Sequence, residues 1–250
     1  MVLHFVTQEP NMSKDLEEYP FKWKQFSGEI ILWTVRWYCL FPLSYRDLVI
    51  MMEERGMLAS HTTIMRWVHE YAPQIKKRMK TFVKKTNDSY RVDETYIKIK
   101  GVCQYLYRAI DSDGNTLDWM LSVKRNQKAA EKFFRKVLKN DHVVKPRVIG
   151  VDKNAAYPPA FETMKKERRI RKKSKLRPIK YLNNIIEQDH RFSKKRIKYS
   201  QGLQTFETAQ ATIEGYESMH MIRKGQIDGV GRKDTIAQKN FIERIFGLAA

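Results

Sequence analysis

A chain of 250 residues with 42% hydrophobic content is long enough to bury one or two cores and fits a globular protein. Its formal net charge of +20 and pI near 9.9 point to a polyanionic partner, most simply nucleic acid. No apolar run approaches the roughly eighteen residues that a membrane-spanning helix needs, and the first twenty residues lack a basic leader, so the expected setting is the cytoplasm, with no membrane partner.

Residues 1–20 read as a loose tail in which Met12 is an alternative start. A first helix is expected from Ser27, with Ile30, Trp33, Trp37 and Phe41 recurring at helical spacing and Pro42 ending it. Ser44 with Asp47 three residues on has the form of a capping box for a second helix, which Gly56 closes. Ser60 can cap a third helix that turns Ile64, Trp67, Val68 and Tyr71 inward. Thr62, Arg66 and His69 are then left outward, with Thr63 at the edge. Two short helices joined by a glycine turn, the second displaying hydroxyls and an arginine, match a helix-turn-helix, here assigned to residues 21–73. Pro73 is expected to break the third helix, leaving 74–88 as a basic linker helix.

At Tyr90 the hydrophobic period changes. Strands are expected over 90–100, 104–110 and 116–123, with Asp113-Gly114 as the turn before the third. A helix over 126–138, an apolar strand ending at Asp152, a helix over 154–166 and late helices over 181–198 and 206–224 follow. This order describes an α/β domain over 89–225, a mixed sheet flanked by helices, with 226–250 as a tail. Cys39 and Cys103 are too few and too far apart for a zinc site and are read as buried thiols.

Three acids stand out. Asp93 lies in the first strand and Asp152 ends the fourth. If those strands are parallel neighbours, both acids emerge near one sheet end, where open α/β sheets hold their sites. Glu187 lies on a late helix, on the face that carries Asn183, Asn184, His190, Arg191, Lys194 and Lys198. The plain alternative is a local pair with Arg191. Glu94, next to Asp93, points to the opposite face and is expected in a salt bridge, while Asp189 falls on the apolar side and calls for a buried partner. Arg191 and Lys194, beside Glu187, are candidate phosphate contacts, and so is His190. Three carboxylates suit magnesium, which prefers hard oxygen ligands, with manganese expected to substitute.

The 35 positions between Asp152 and Glu187 are close to the spacing in the integrase and transposase superfamily, whose Asp, Asp, Glu triad sits on an RNase H-like fold. The stretches WKQFSGEIILWTVRWYC, LSYRDL, HTTIMRWV, RVDETYIKIKG, YLYRAID, KYLNNIIEQDHR and GYESMHMIRKGQ together resemble the bacterial insertion-sequence transposases of the insertion sequence six family, from about residue 21 onward. The resemblance implies a helix-turn-helix before an RNase H-like core, with Asp93, Asp152 and Glu187 as catalytic metal ligands. It also implies nicking at terminal inverted repeats and replicative joining to target DNA by a homo-oligomer. An inactive DNA-binding regulator and a purely hydrolytic nuclease are the alternatives. The run 165–180, with ten Lys or Arg against Glu167 alone, is more basic than the family leads one to expect.

Overall fold

The computed structural model describes residues 20–178, 184–199 and 203–248. The tail at 1–19 and the asparagine Asn183 lie outside the described residues, as do the side chains of Asn184 and Ile185. Three helices come first, α1 (Gly28–Leu40), α2 (Tyr45–Glu53) and α3 (His61–Met79). Next come strands β1 (Ser89–Ile99), β2 (Val102–Asp111) and β3 (Thr116–Ser122), then α4 (Gln127–Val137), β4 (Val148–Val151), α5 (Tyr157–Lys166) and β5 (Lys175–Pro178). Helices α6 (Asn184–Tyr199), α7 (Phe206–Arg223) and α8 (Thr235–Ile245) complete the order.

The local signals act as their chemistry dictates. Ser44 and Asp47 form the reciprocal capping box of α2. Ser60 accepts from the Thr63 N–H to cap α3. Gly56 takes the left-handed conformation after α2, at φ 72°. Ser27 occupies the N-cap position of α1 without a side-chain capping bond. There Gly28 packs so closely on Phe21 that a Cβ would lie 2.5 Å from its ring.

Three elements differ from the sequence reading. Helix α3 does not break at Pro73 but continues to Met79, because Tyr71, Ala72, Ile75 and Met79 form one buried ridge with Ile64, Trp67 and Val68. That burial outweighs the backbone hydrogen bond a proline removes. The buried side of α1 is Ile31, Leu32, Val35, Tyr38 and Cys39, not the Ile30, Trp33, Trp37 and Phe41 stripe, of which Phe41 is exposed. Residues 226–250 are not merely a tail, since α8, capped by Asp234, buries Phe241 and Ile242, and Phe246 packs on Phe21 and Tyr71.

The sheet has the order β3-β2-β1-β4-β5. β1, β2 and β3 are antiparallel neighbours, whereas β4 runs parallel to β1 and β5 parallel to β4. One face packs Tyr90, Val92, Tyr107 and Ile149 against Phe133 and Phe134 of α4 and Tyr157 and Phe161 of α5. The other packs Ile97, Leu106, Trp119 and Leu121 into a core shared with α1, α3, α7 and α8. Gly215 lets α7 close on the first helices: a Cβ there would lie 2.6 Å from Cys39 Sγ and 2.8 Å from Ala72 Cβ. Cys39 is buried as expected, but Cys103 is exposed, because it lies at the hairpin end of β2 opposite Lys98. The basic run contributes the strand β5, whose cations line the sheet edge and oppose pairing with another strand.

The buried partner of Asp189 is Arg108, at the centre of β2 and fully buried. Its Nη2 lies 2.7 Å from Asp189 and 2.6 Å from Glu217 of α7. His220 and Lys224 reach Asp189 at 2.7 and 2.6 Å, and Ser193 donates to Glu217 at 2.5 Å. Burial alone would raise the Asp189 pKa, but Arg108, His220 and Lys224 hold it well below the usual carboxylate range. This charge cluster fastens α6 to β2 and α7.

Two stability outcomes follow from this packing. Asp189→Asn leaves Arg108 with Glu217 alone and takes the carboxylate from buried His220 and Lys224, and is expected to cost about 3–5 kcal/mol in denaturant unfolding, whereas the exposed Glu187→Gln should stay within about 0.5 kcal/mol of wild type. Gly215→Ala is expected to destabilise by about 1–3 kcal/mol through overpacking, although alanine favours helix. Urea titrations of the three variants read both effects.

Candidate active site

Asp93 stands in β1 opposite Arg108 of β2, and Val92 beside it pairs with Val151, the last residue of β4. Asp152 follows immediately, one residue past the strand end instead of within the strand. Parallel pairing of adjacent strands thus brings the two acids to one sheet end, the condition on which the sequence reading of the two acids rested. Oxygen atoms of Asp93, Glu94 and Asp152 all lie within 4.8 Å of one another.

Glu94 joins this group although the pleat turns it to the side of α4 and α5. The reason is that β4 has ended, so Asp152 turns across the sheet end instead of standing on one face. Its carboxylate accepts from the Asn154 N–H at 3.0 Å, and the Asn154 amide donates to Glu94 at 2.9 Å. Tyr157 donates its hydroxyl to Glu94. Arg125, in the loop before α4, pairs with Glu94 and reaches Asp152 at 3.3 Å. The expected salt bridge of Glu94 is therefore present, and it ties the same residue to the acid group. Partial burial raises the Asp152 pKa, as do the charges of Glu94 and Asp93, against the Asn154 N–H and Arg125.

Helix α6 lies over β1, and its His190, only 3% exposed, places Nε2 3.5 Å from Asp93. This corrects the placing of His190 on the outer face: it is buried against Asp93. Glu187, one turn earlier, is exposed and is not among the clustered acids. Among the described residues it makes no ion pair, so the local alternative with Arg191 is not what holds it. Arg191 and Lys194 are exposed on the same helix.

On α3, Thr62 and Arg66 are exposed and Thr63 half-buried, as the periodicity implied, whereas His69, expected outward, is half-buried. Both threonine hydroxyls approach Ser60 Oγ, at 2.8 and 2.9 Å, so they brace the helix start. Burial lowers the His69 pKa. Sequence reasoning missed Arg125 and the contribution of Glu94 to the group. Adjacency to Asp93 was the available signal for Glu94, whereas nothing in the SVKRNQ loop marks Arg125.

Carboxylate oxygens converging in this way are the hard donors that magnesium takes, so the residues fit a divalent cation. No helix of the described residues is long and apolar enough to cross a membrane.

Comparison with known proteins agrees with this geometry. Residues 87–226 match the DDE domain family. The transposase for insertion sequence-like element IS431mec of Staphylococcus aureus is 39% identical over 210 residues, 82% of this chain and 88% of that protein. The transposase for insertion sequence element IS257 in transposon Tn4003 of the same species shows the same identity and coverage. Among solved structures, the HTLV-2 integrase catalytic core domain in complex with magnesium aligns with 53% of this chain and 84% of its own at 16% identity, TM-score 0.41. The Mos1 strand transfer complex aligns with 83% of this chain and 78% of its own at 9% identity, TM-score 0.36. A mixed sheet flanked by helices, acids gathered at its β1–β4 end and sequence identity over most of the chain lead to one conclusion: the chain belongs to the DDE transposases of the insertion sequence six family.

Proposed function

We propose that the chain nicks DNA at the terminal inverted repeats of its element and joins the freed 3′-hydroxyl to target DNA in the replicative manner, as a homo-oligomer acting on cytoplasmic nucleoid DNA. The observation that carries this reading is the convergence of Asp93 and Asp152 from adjacent parallel strands, with α6 laid across them through His190. Asp93, Asp152 and, from α6, Glu187 would hold magnesium, with manganese as a substitute. A divalent metal bound there supplies Lewis-acid activation and charge neutralisation for in-line displacement at a phosphodiester.

The chain's own residues orient the reaction. Arg125 reaches Asp152 at 3.3 Å, and His190 packs against Asp93 with Nε2 at 3.5 Å. The oxygens of Glu94 are taken by Arg125, Asn154 and Tyr157, so Glu94 serves chiefly to brace the Asp152 loop. Glu187, exposed and without an ion pair among the described residues, is the acid whose position remains free to respond to substrate. In nicking, water attacks the phosphorus and the 3′ oxygen leaves. In joining, that 3′-hydroxyl attacks a target phosphodiester, so one P–O bond forms as another breaks and no nucleotide cofactor is consumed. Helices α1–α3 would serve as the helix-turn-helix that finds the repeat, with Thr62, Thr63, Arg66 and His69 on the reading helix, while Arg191 and Lys194 hold phosphates beside the acids.

Asp93→Asn, Asp152→Asn and Glu187→Gln are each expected to abolish nicking and joining of end-bearing DNA in magnesium while sparing DNA binding, with non-additive combinations. Glu94→Gln should retain measurable nicking. Gel assays of nicked and joined products check this. Full activity in one of the three variants removes that residue from the site, nicking without joining in the wild type indicates a nuclease, and binding without either indicates a regulator. Arg66→Ala is expected to weaken binding to end DNA by about 1–3 kcal/mol more than to random DNA, provided it meets a base edge. Neutralising Lys172, Lys173 and Lys175 should weaken both equally, as titrations at several salt concentrations would read.

A further inference from the structure

A second concave site lies away from the acids, where the end of α1, the second half of α6, the end of α7 and the start of α8 meet around a cavity of about 480 Å³. Its charged lining is entirely cationic: Arg36, Lys195, Arg196, Arg223, Arg232 and Lys233. Among the described residues none of the six forms a salt bridge with a carboxylate. Arg108, the other buried arginine among the described residues, is by contrast paired with Asp189 and Glu217. Glu243 attracts Arg36 through space but is bound to Lys239 at 2.8 Å, and Asp234, between Lys233 and Thr235, caps α8 by accepting from the Ala237 N–H.

Two of the six are not surface side chains. Arg36 is 7% and Arg196 2% exposed, yet among the described residues Nε and Nη2 of Arg36 and Nε and Nη1 of Arg196 lack a hydrogen-bond partner. Burying guanidinium charge without a paired carboxylate is costly, and an anion in the cavity would balance that charge. The surroundings hold these groups in place. Arg196 is anchored by the Tyr38 carbonyl and lies over the Tyr216 ring at 5.0 Å. Gln238 of α8 donates to the carbonyls of Gly231 and Arg232 at 3.0 and 3.1 Å, which fixes the loop that carries Arg232 and Lys233.

The place of this cavity along α6 connects it with the acids. Lys195 lies eight residues beyond Glu187, about 12 Å along the helix axis, and the exposed Arg191 and Lys194 stand between them. We propose that the cavity is a phosphate-binding site that takes a phosphodiester of the DNA running along α6 from the acid cluster, which rests on the reading above that the chain handles DNA. Planar guanidinium groups match phosphate oxygens in pairs, and such a site holds the strand without reading its sequence.

The test compares Lys195→Gln/Arg223→Gln/Arg232→Gln with Lys128→Gln/Lys132→Gln/Lys139→Gln, which removes the same charge from exposed positions on and after α4. Binding to end-bearing and to random duplex is measured in EDTA, so that no cleavage intervenes, at several salt concentrations. A thermal-melt arm adds inorganic phosphate against chloride at equal ionic strength. The pocket variant is expected to lose about tenfold or more in affinity for both duplexes, and to flatten the log–log salt dependence by about 0.9 for each phosphate it no longer neutralises. The control should stay within about twofold, and phosphate should raise the melting midpoint of the wild type but not of the pocket variant. Equal losses in both variants would reduce the cavity to net charge and overturn the proposal. So would stabilisation by phosphate with DNA affinity unchanged in the pocket variant, which would assign the cavity to a free anion. If the wild type bound no DNA, the transposition reading would fail first, an outcome distinct from a wild type that binds DNA and a pocket variant that binds it equally.

Discussion

The ion cluster around Arg108 is the interaction on which the arrangement of the site depends. A guanidinium in the middle of a strand is tolerable only if acids meet it, and here they come from two different helices, Asp189 of α6 and Glu217 of α7. Such a cluster is weak evidence of net stability, since desolvating its charges offsets most of their attraction. Its effect is specificity of position. Only one placement of α6 satisfies Asp189, Ser193 and their partners together, and that placement sets His190 on Asp93. Arg108 is also the cross-strand neighbour of Asp93, so one strand pair carries both the anchor and the acid it serves.

At the other edge of the site, the ending of β4 matters as much as its direction. Had the strand continued, Asp152 would have stood on one face of the pleat and Glu94 on the other. Because pairing stops at Val151, Asp152 lies across the sheet end, and Arg125 spans it and Glu94. A cationic side chain between the carboxylates limits their repulsion, which burial would otherwise intensify.

The first three helices are continuous with the core beneath the sheet. Gly215 admits Ala72 and Cys39, and Phe246 of the C-terminal segment closes on Phe21 and Tyr71. A helix that presents Arg66 outward therefore continues, past Pro73, into Lys76, which is held by Asp118 and Glu214 at 3.3 and 2.9 Å. The helix that carries Arg66 is thus joined to the sheet that carries the acids by one continuous element.

The sequence by itself determined what depends on neighbours in the chain: the capping box at Ser44, the cap at Ser60, the strand–turn–strand signal at Asp113-Gly114 and the change of period at Tyr90. Helix and strand periods and caps act over a few residues, so they are legible without the fold. What only the tertiary structure decided depends on groups distant in the chain. The passage of α3 through Pro73 was decided by a buried ridge against α7, the inner side of α1 by packing on several sides, and the docking of α8 by Phe21 and Tyr71. The burial of His190 and the partners of Asp189 likewise followed from where β2 and α7 carry their charges. Long-range packing overrides local propensity because burying a ridge of apolar side chains is worth more than one backbone hydrogen bond, and a buried charge takes whatever partner the fold brings within reach.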